Sequence, residues 1–167
     1  MKREPGISGS MKRSVAMLVG AASFGAILGH PAVSEAFWAR QHPSFCHQEL
    51  GSAGAYSDGC NVTTGGSIVV SCPVIDTQAN PKTSIAFMNV HVDDKSPSFI
   101  IASRCVSYYS ATGGACGGID TSVNGIDTLY PPTWAGWNAT DFGAIYVTIP
   151  PASGGNKSCL KGYYTQG

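Results

Sequence analysis

The sequence predicts an all-β fold, a single antiparallel β-sandwich or barrel-like domain behind an N-terminal export signal. Three observations carry this. Beyond residue 36 no stretch of ten residues combines a 3.6-residue apolar period with helix caps. Short β-branched runs recur instead, set apart by Gly, Pro, Asn and Asp clusters about every 8–15 residues. All six cysteines (Cys46, Cys60, Cys72, Cys105, Cys116 and Cys159) follow the apolar N-terminal run, an even set that reads as three disulfides in an exported chain.

Residues 1–36 read as a signal peptide. Met11-Lys12-Arg13-Ser14 is a short basic region, and residues 15–29 are fifteen apolar or small residues without a charge. Spanning a bilayer takes about 20 residues, so no membrane span is expected in the mature chain. Ser34-Glu35-Ala36 offers small residues at −3 and −1, which places cleavage before Phe37. Met11 is itself a good start, and initiation there leaves a signal of 26 residues. The expected destination is the periplasm or the exterior.

Residues 37–58 read as an N-terminal arm and a Gly/Ser/Ala-rich loop, and residues 59–167 as the β-sandwich. Thr64-Gly65-Gly66 is a turn before the β-branched strand 67–73, which Pro73 ends. In strand 84–93, Ala86, Met88, Val90 and Val92 form a wholly apolar face that must be buried, opposite Ile85, Phe87, Asn89 and His91. Asp94-Lys95-Ser96-Pro97 turns the chain, so 84–93 and 98–109 are expected to pair as a hairpin. The Gly-rich residues 110–126 read as a long loop, and 127–130 as a short strand. Strand 142–149 stops at Pro150-Pro151, and 158–165 is the last strand.

Composition excludes several functions. The 167 residues carry ten basic and ten acidic side chains, and only 12% are charged. Removing 1–36 leaves six basic and eight acidic, a net charge of −2. No basic stripe is available to neutralise nucleic-acid phosphates. A hydrophobic share of 43% is too high for a disordered chain.

From Gly59 to Tyr164 the order of features resembles a group of exported proteins of unknown function from Gram-negative bacteria. The shared features are Asn61 ahead of a strand ending Cys72-Pro73, two hairpin strands of which the second carries Cys105, a strand ending Pro150-Pro151, and Gly162-Tyr163 in the final strand. The chain has Thr148 where the group usually has a Cys before the Pro-Pro, and Cys60, Cys116 and Cys159 are additional. The resemblance implies export, disulfides and β structure. It carries no catalytic residue.

Cys72 ends one strand and Cys105 sits within another, so a Cys72–Cys105 bridge is expected to pin the two layers. Proximity and elimination then pair Cys46–Cys60 and Cys116–Cys159. The closest cysteines have ten residues between them, so zinc knuckles and c-type haem spacing are absent. No cofactor is expected.

Three constellations carry chemistry. Tyr130, Trp134, Trp137 and Asn138 form an aromatic, partly polar loop able to stack on a sugar face, unless the rings simply pack on the sandwich. His91 and Asp93, two apart on one strand, share a face suited to a metal or an acid/base pair, although Asp93-Asp94-Lys95-Ser96 is equally what a turn needs. A Ser/His/Asp hydrolase lacks a G-x-S-x-G elbow, and the other mature histidines, His42 and His47, read as surface residues of a loop beside Cys46. Gly113–Gly118 has no following helix or Lys-Ser/Thr, which excludes a phosphate loop. The first reading is therefore an exported non-enzymatic β-domain, structural or binding, whose partner is a glycan or an envelope protein. A carbohydrate-binding module on the Trp134/Trp137 loop comes second, and a hydrolase or metal site at His91/Asp93 third.

Overall fold

The structure, a computed structural model, describes residues 38–75, 85, 87–107, 114–132 and 141–167. Among the described residues eleven strands run in chain order: β1 (Trp38–Gln41), β2 (His47–Leu50), β3 (Tyr56–Ser57), β4 (Cys60–Asn61), β5 (Ile68–Pro73), β6 (Phe87–Asp94), β7 (Ile101–Ser107), β8 (Gly114–Thr121), β9 (Gly125–Leu129), β10 (Phe142–Ile149) and β11 (Cys159–Gln166). A single 3-10 turn, Pro43–Phe45, separates β1 from β2. No helix among the described residues is long and apolar enough to cross a membrane.

The strands form two antiparallel sheets. The six-stranded sheet runs β3-β4-β11-β6-β9, with β1 also paired to β11, and the five-stranded sheet runs β2-β5-β10-β7-β8. Alternation explains why they face each other. Ile68, Val70, Ile145, Val147, Ile149 and Ala102 of one sheet and Met88, Val90, Val92, Leu129, Leu160 and Tyr163 of the other meet in one buried core. Met88, Val90 and Val92, the apolar face read from the sequence, are at most 1% exposed.

Polar side chains tie the layers together. The Tyr163 hydroxyl donates to the Pro73 carbonyl at 2.8 Å, and the Tyr56 hydroxyl to the Pro43 carbonyl at 2.9 Å. Burial pushes both phenols up to about 12, and Tyr56 adds to the rise at Tyr163. Arg104, on the inward face of β7, crosses the core and donates to the Met88 carbonyl at 3.1 Å. Its Nε has no partner among the described residues, and burial lowers the guanidinium to about 10.

The expected hairpin does not form. β6 pairs with β11 and β9, whereas β7 pairs with β10 and β8. The turn after β6 instead carries the chain from one sheet to the other. Asp94 organises it: its carboxylate accepts from the Ser96 and Ile100 amides at 3.1 and 3.3 Å and from the Ser122 and Ser158 hydroxyls. The real hairpin is β7–β8, and its second strand comes from the Gly-rich segment read as a loop. A side chain at Gly114 would collide with the Val106 carbonyl, so glycine here serves a close edge pairing rather than a loop.

Residues 38–57, read as arm and loop, contribute β1, β2 and β3 to the two sheets. These strands are two to four residues long and bury no side chain fully, so no apolar face marks them in the sequence.

The three expected disulfides are all replaced by others. The bridges are Cys46–Cys72, Cys60–Cys159 and Cys105–Cys116, with Cα atoms 4.0–4.1 Å apart. None joins the two layers. Cys60 and Cys159 face each other in the β4–β11 register, as do Cys105 and Cys116 in β7–β8. Cys46 and Cys72 flank the paired residues His47 and Ser71 of β2 and β5. Each bridge thus staples a strand at or near a sheet edge to its inner neighbour. Directly opposed residues of an antiparallel pair already hold their Cα atoms within disulfide reach, so a bridge within a sheet needs no backbone movement.

Candidate functional site

The outer face of the six-stranded sheet gathers the unusual side chains. Alternation turns Asn89, His91 and Asp93 of β6 outward, opposite the buried valines. Register places Tyr164 of β11 beside Asn89, Arg40 of β1 beside Tyr164, and Thr128 of β9 beside His91. Trp38, Tyr164 and His91 stack across three strands, with centroids 5.2 and 5.3 Å apart and planes tilted 27° and 28°. Thr128 extends the row, its hydroxyl 2.9 Å from His91 Nδ1. The Asn89 amide donates to the Tyr164 hydroxyl, and its own carbonyl oxygen is buried without a partner among the described residues.

A β-bulge shapes this face. Between Leu160 and Gly162 the register of β11 against β6 shifts, leaving Lys161 as the extra residue. Gly162 sits at φ +154°, and a Cβ there would lie 3.0 Å from the Gln41 carbonyl, so only glycine lets β1 approach. Beside it lies an open depression of about 340 Å³ between Arg40, Gln41, His91, Lys161, Gly162 and Tyr164.

His91 and Asp93 point out of one strand into different contacts. Asp93 meets Lys95 at 3.3 Å and Lys161 at 3.8 Å, while His91 belongs to the stack. Among the described residues no three His, Cys, Asp or Glu side chains group to hold a metal. Two further aspartates bond backbone amides around β8 and β9: Asp120 accepts from the Thr121 and Tyr130 amides, and Asp127 from the Val123 and Thr128 amides. Asp76 lies outside the described residues. His42 caps the 3-10 turn by accepting from the Ser44 amide at 3.2 Å, and His47 is exposed on β2.

Of the aromatic loop, Tyr130 is 59% exposed; Trp134, Trp137 and Asn138 lie outside the described residues. Trp38, Arg40, Lys161 and Tyr164 were not singled out from the sequence. The only available clue was Trp38 and Arg40 at i and i+2, which acquires meaning once β11 is known to lie alongside.

Asn61 is a stitch in the frame. The Asn61 amide donates to the carbonyls of Gly66, Ile149 and Pro150, and its oxygen accepts from the Thr63 amide. It is fully buried. No protein-family model, curated protein or solved structure matches the chain.

Proposed function

We propose that this disulfide-stabilised β-domain is exported and acts by binding or as a structural element, not by covalent catalysis. The observation that carries the reading is the stapling of three strand pairs by three cross-strand disulfides, a pattern that persists in an oxidising compartment outside the cytoplasm. The basic and apolar residues 11–29 and the Ser34-Glu35-Ala36 site support delivery to the periplasm or exterior, as does the resemblance to Gram-negative exported proteins. The commitment of Asp94 and Asn61 to buried hydrogen bonds also fits a scaffold role. Expression with export should yield material that begins at Phe37 and contains no free thiol. Intact mass retaining Met1 or Met11, or thiol labelling of the folded protein, overturns the reading.

A second reading, a carbohydrate-binding module, gains support from the exposed aromatic side chains, with Trp38 half exposed at the end of the ring stack and Tyr130 exposed beside the Trp134/Trp137 segment. Glycan-array binding that disappears on joint Trp134→Ala and Trp137→Ala substitution would locate it in that segment. Binding that survives would place it elsewhere on the surface.

A further inference from the structure

The depression beside the β11 bulge combines charge and hydrogen-bond donors, and Trp38 stands next to it, outside its lining, stacked on Tyr164. Arg40 stands on β1, a strand that pairs only along its β11 side, and makes no ion pair among the described residues. Lys161, pushed out by the bulge, is the more distant of the two lysines that approach Asp93, at 3.8 Å against 3.3 Å for Lys95. Two cations therefore border the depression: Arg40, and Lys161, which shares the Asp93 carboxylate with the nearer Lys95. The Tyr164 oxygen accepts from Asn89, which leaves its own O–H to donate elsewhere. His91 uses Nδ1 toward Thr128, so its Nε2 remains for another partner. Trp38, two residues along from Arg40 on the same side of β1, is 50% exposed. The volume of about 340 Å³ falls at the small end of ligand sites, which span roughly 300–1,000 Å³.

Resting on the carbohydrate-binding reading, we propose that this depression binds a carboxylate-bearing sugar, a uronate unit of an acidic polysaccharide. Its carboxylate lies between Arg40 and Lys161, where the planar guanidinium offers two parallel N–H donors. The ring hydroxyls meet Tyr164 and His91, and an apolar C–H face of the ring meets Trp38. A bare phosphate would use the cations and leave the aromatic edge without a role. A neutral sugar would leave Arg40 unpaired. An open, shallow site at a sheet edge also suits one unit of a long chain better than a small molecule enclosed on all sides.

The test is calorimetric titration of the disulfide-intact protein with oligogalacturonate, a neutral galactan of equal length and an oligoglutamate peptide, at low and at physiological salt. Oligogalacturonate should bind, more weakly as salt rises. Arg40→Gln and Trp38→Ala should each weaken binding tenfold or more, and Lys161→Gln less, all three with an unchanged melting temperature. Absence of oligogalacturonate binding overturns the proposal, as does full binding by Arg40→Gln or equal competition by oligoglutamate. Neutral galactan binding alone removes the acidic ligand and leaves the carbohydrate reading standing; binding to neither glycan removes both.

Discussion

Asp93 and Asp94 are neighbours in one strand, and the structure gives them opposite roles. Asp94 points inward, is 1% exposed, and four donors from three parts of the chain converge on its carboxylate. Asp93 points outward and meets only two exposed lysines. The same contrast holds between the surrounding regions. At the Asp94 end, Asn61, Ser122 and Ser158 are buried with their hydrogen bonds made within the frame. On the outer face, Arg40 makes no ion pair among the described residues, and the partners of Lys161 and His91, Asp93 and Thr128, lie at the surface. Residue type does not separate structural from available polar groups here; the side of the strand does.

The largest expected effect lies at the buried end. Joint replacement of Cys60 and Cys159 by serine removes a crosslink across 99 residues, worth about 4–5 kcal/mol in the chain-entropy account, against about 3 kcal/mol for Cys105 and Cys116 across 11. Urea unfolding of the two double variants checks the order, and a reversed order would mean that the short staple holds more structure than its loop length indicates.

Next comes the aspartate pair. Asp94→Ala strands several buried donors and should cost about 3 kcal/mol, whereas Asp93→Ala should cost under about 1 kcal/mol because its ion pairs face solvent. Equal losses in chemical denaturation would break the comparison.

The buried phenols sharpen it further. Tyr56 and Tyr163 keep their protons up to about 12 in the folded state against about 10 when unfolded. Their contribution to stability is complete below pH 10 and is lost as pH rises to about 12. Arg104 works with the opposite sign, because its folded value of about 10 lies below the unfolded one. Phenolate absorbance isolates the tyrosines: Tyr56 and Tyr163 should titrate late in the native protein and normally in denaturant, and Tyr163→Phe should remove one late-titrating phenol.

The smallest effect belongs to the outer face. His91→Ala and Arg40→Gln should leave stability within about 0.5 kcal/mol of wild type by thermal melting, since neither is buried. A large loss in either would make the outer row part of the frame rather than a surface for partners.

Strands whose one face is continuously apolar were legible from their residues, and β5, β6, β10 and β11 lie where alternation and the flanking prolines place them. β1, β2 and β8 were not, because exposed edge strands carry no apolar face and β8 is rich in glycine. Asp94-Lys95-Ser96-Pro97 announced a turn correctly but not its destination, since a hairpin and a crossing between sheets start from the same local chemistry. For the candidate site, His91 was visible as a polar residue on an outer face, while its partners Trp38, Tyr164 and Thr128 lie 53, 73 and 37 positions away in the chain.

The sequence alone therefore determined the all-β class, the inward face of β6 and an even set of cysteines suited to an oxidising compartment. These follow from side-chain period, turn chemistry and cysteine number, which are properties of short segments. Tertiary structure decided which strands pair, which cysteines meet and which polar groups are buried. A strand's period says that one side is covered but not by which partner, so Cys60 finds Cys159, and Arg40 finds Tyr164, only once β11 lies between β6 on one side and β1 and β4 on the other.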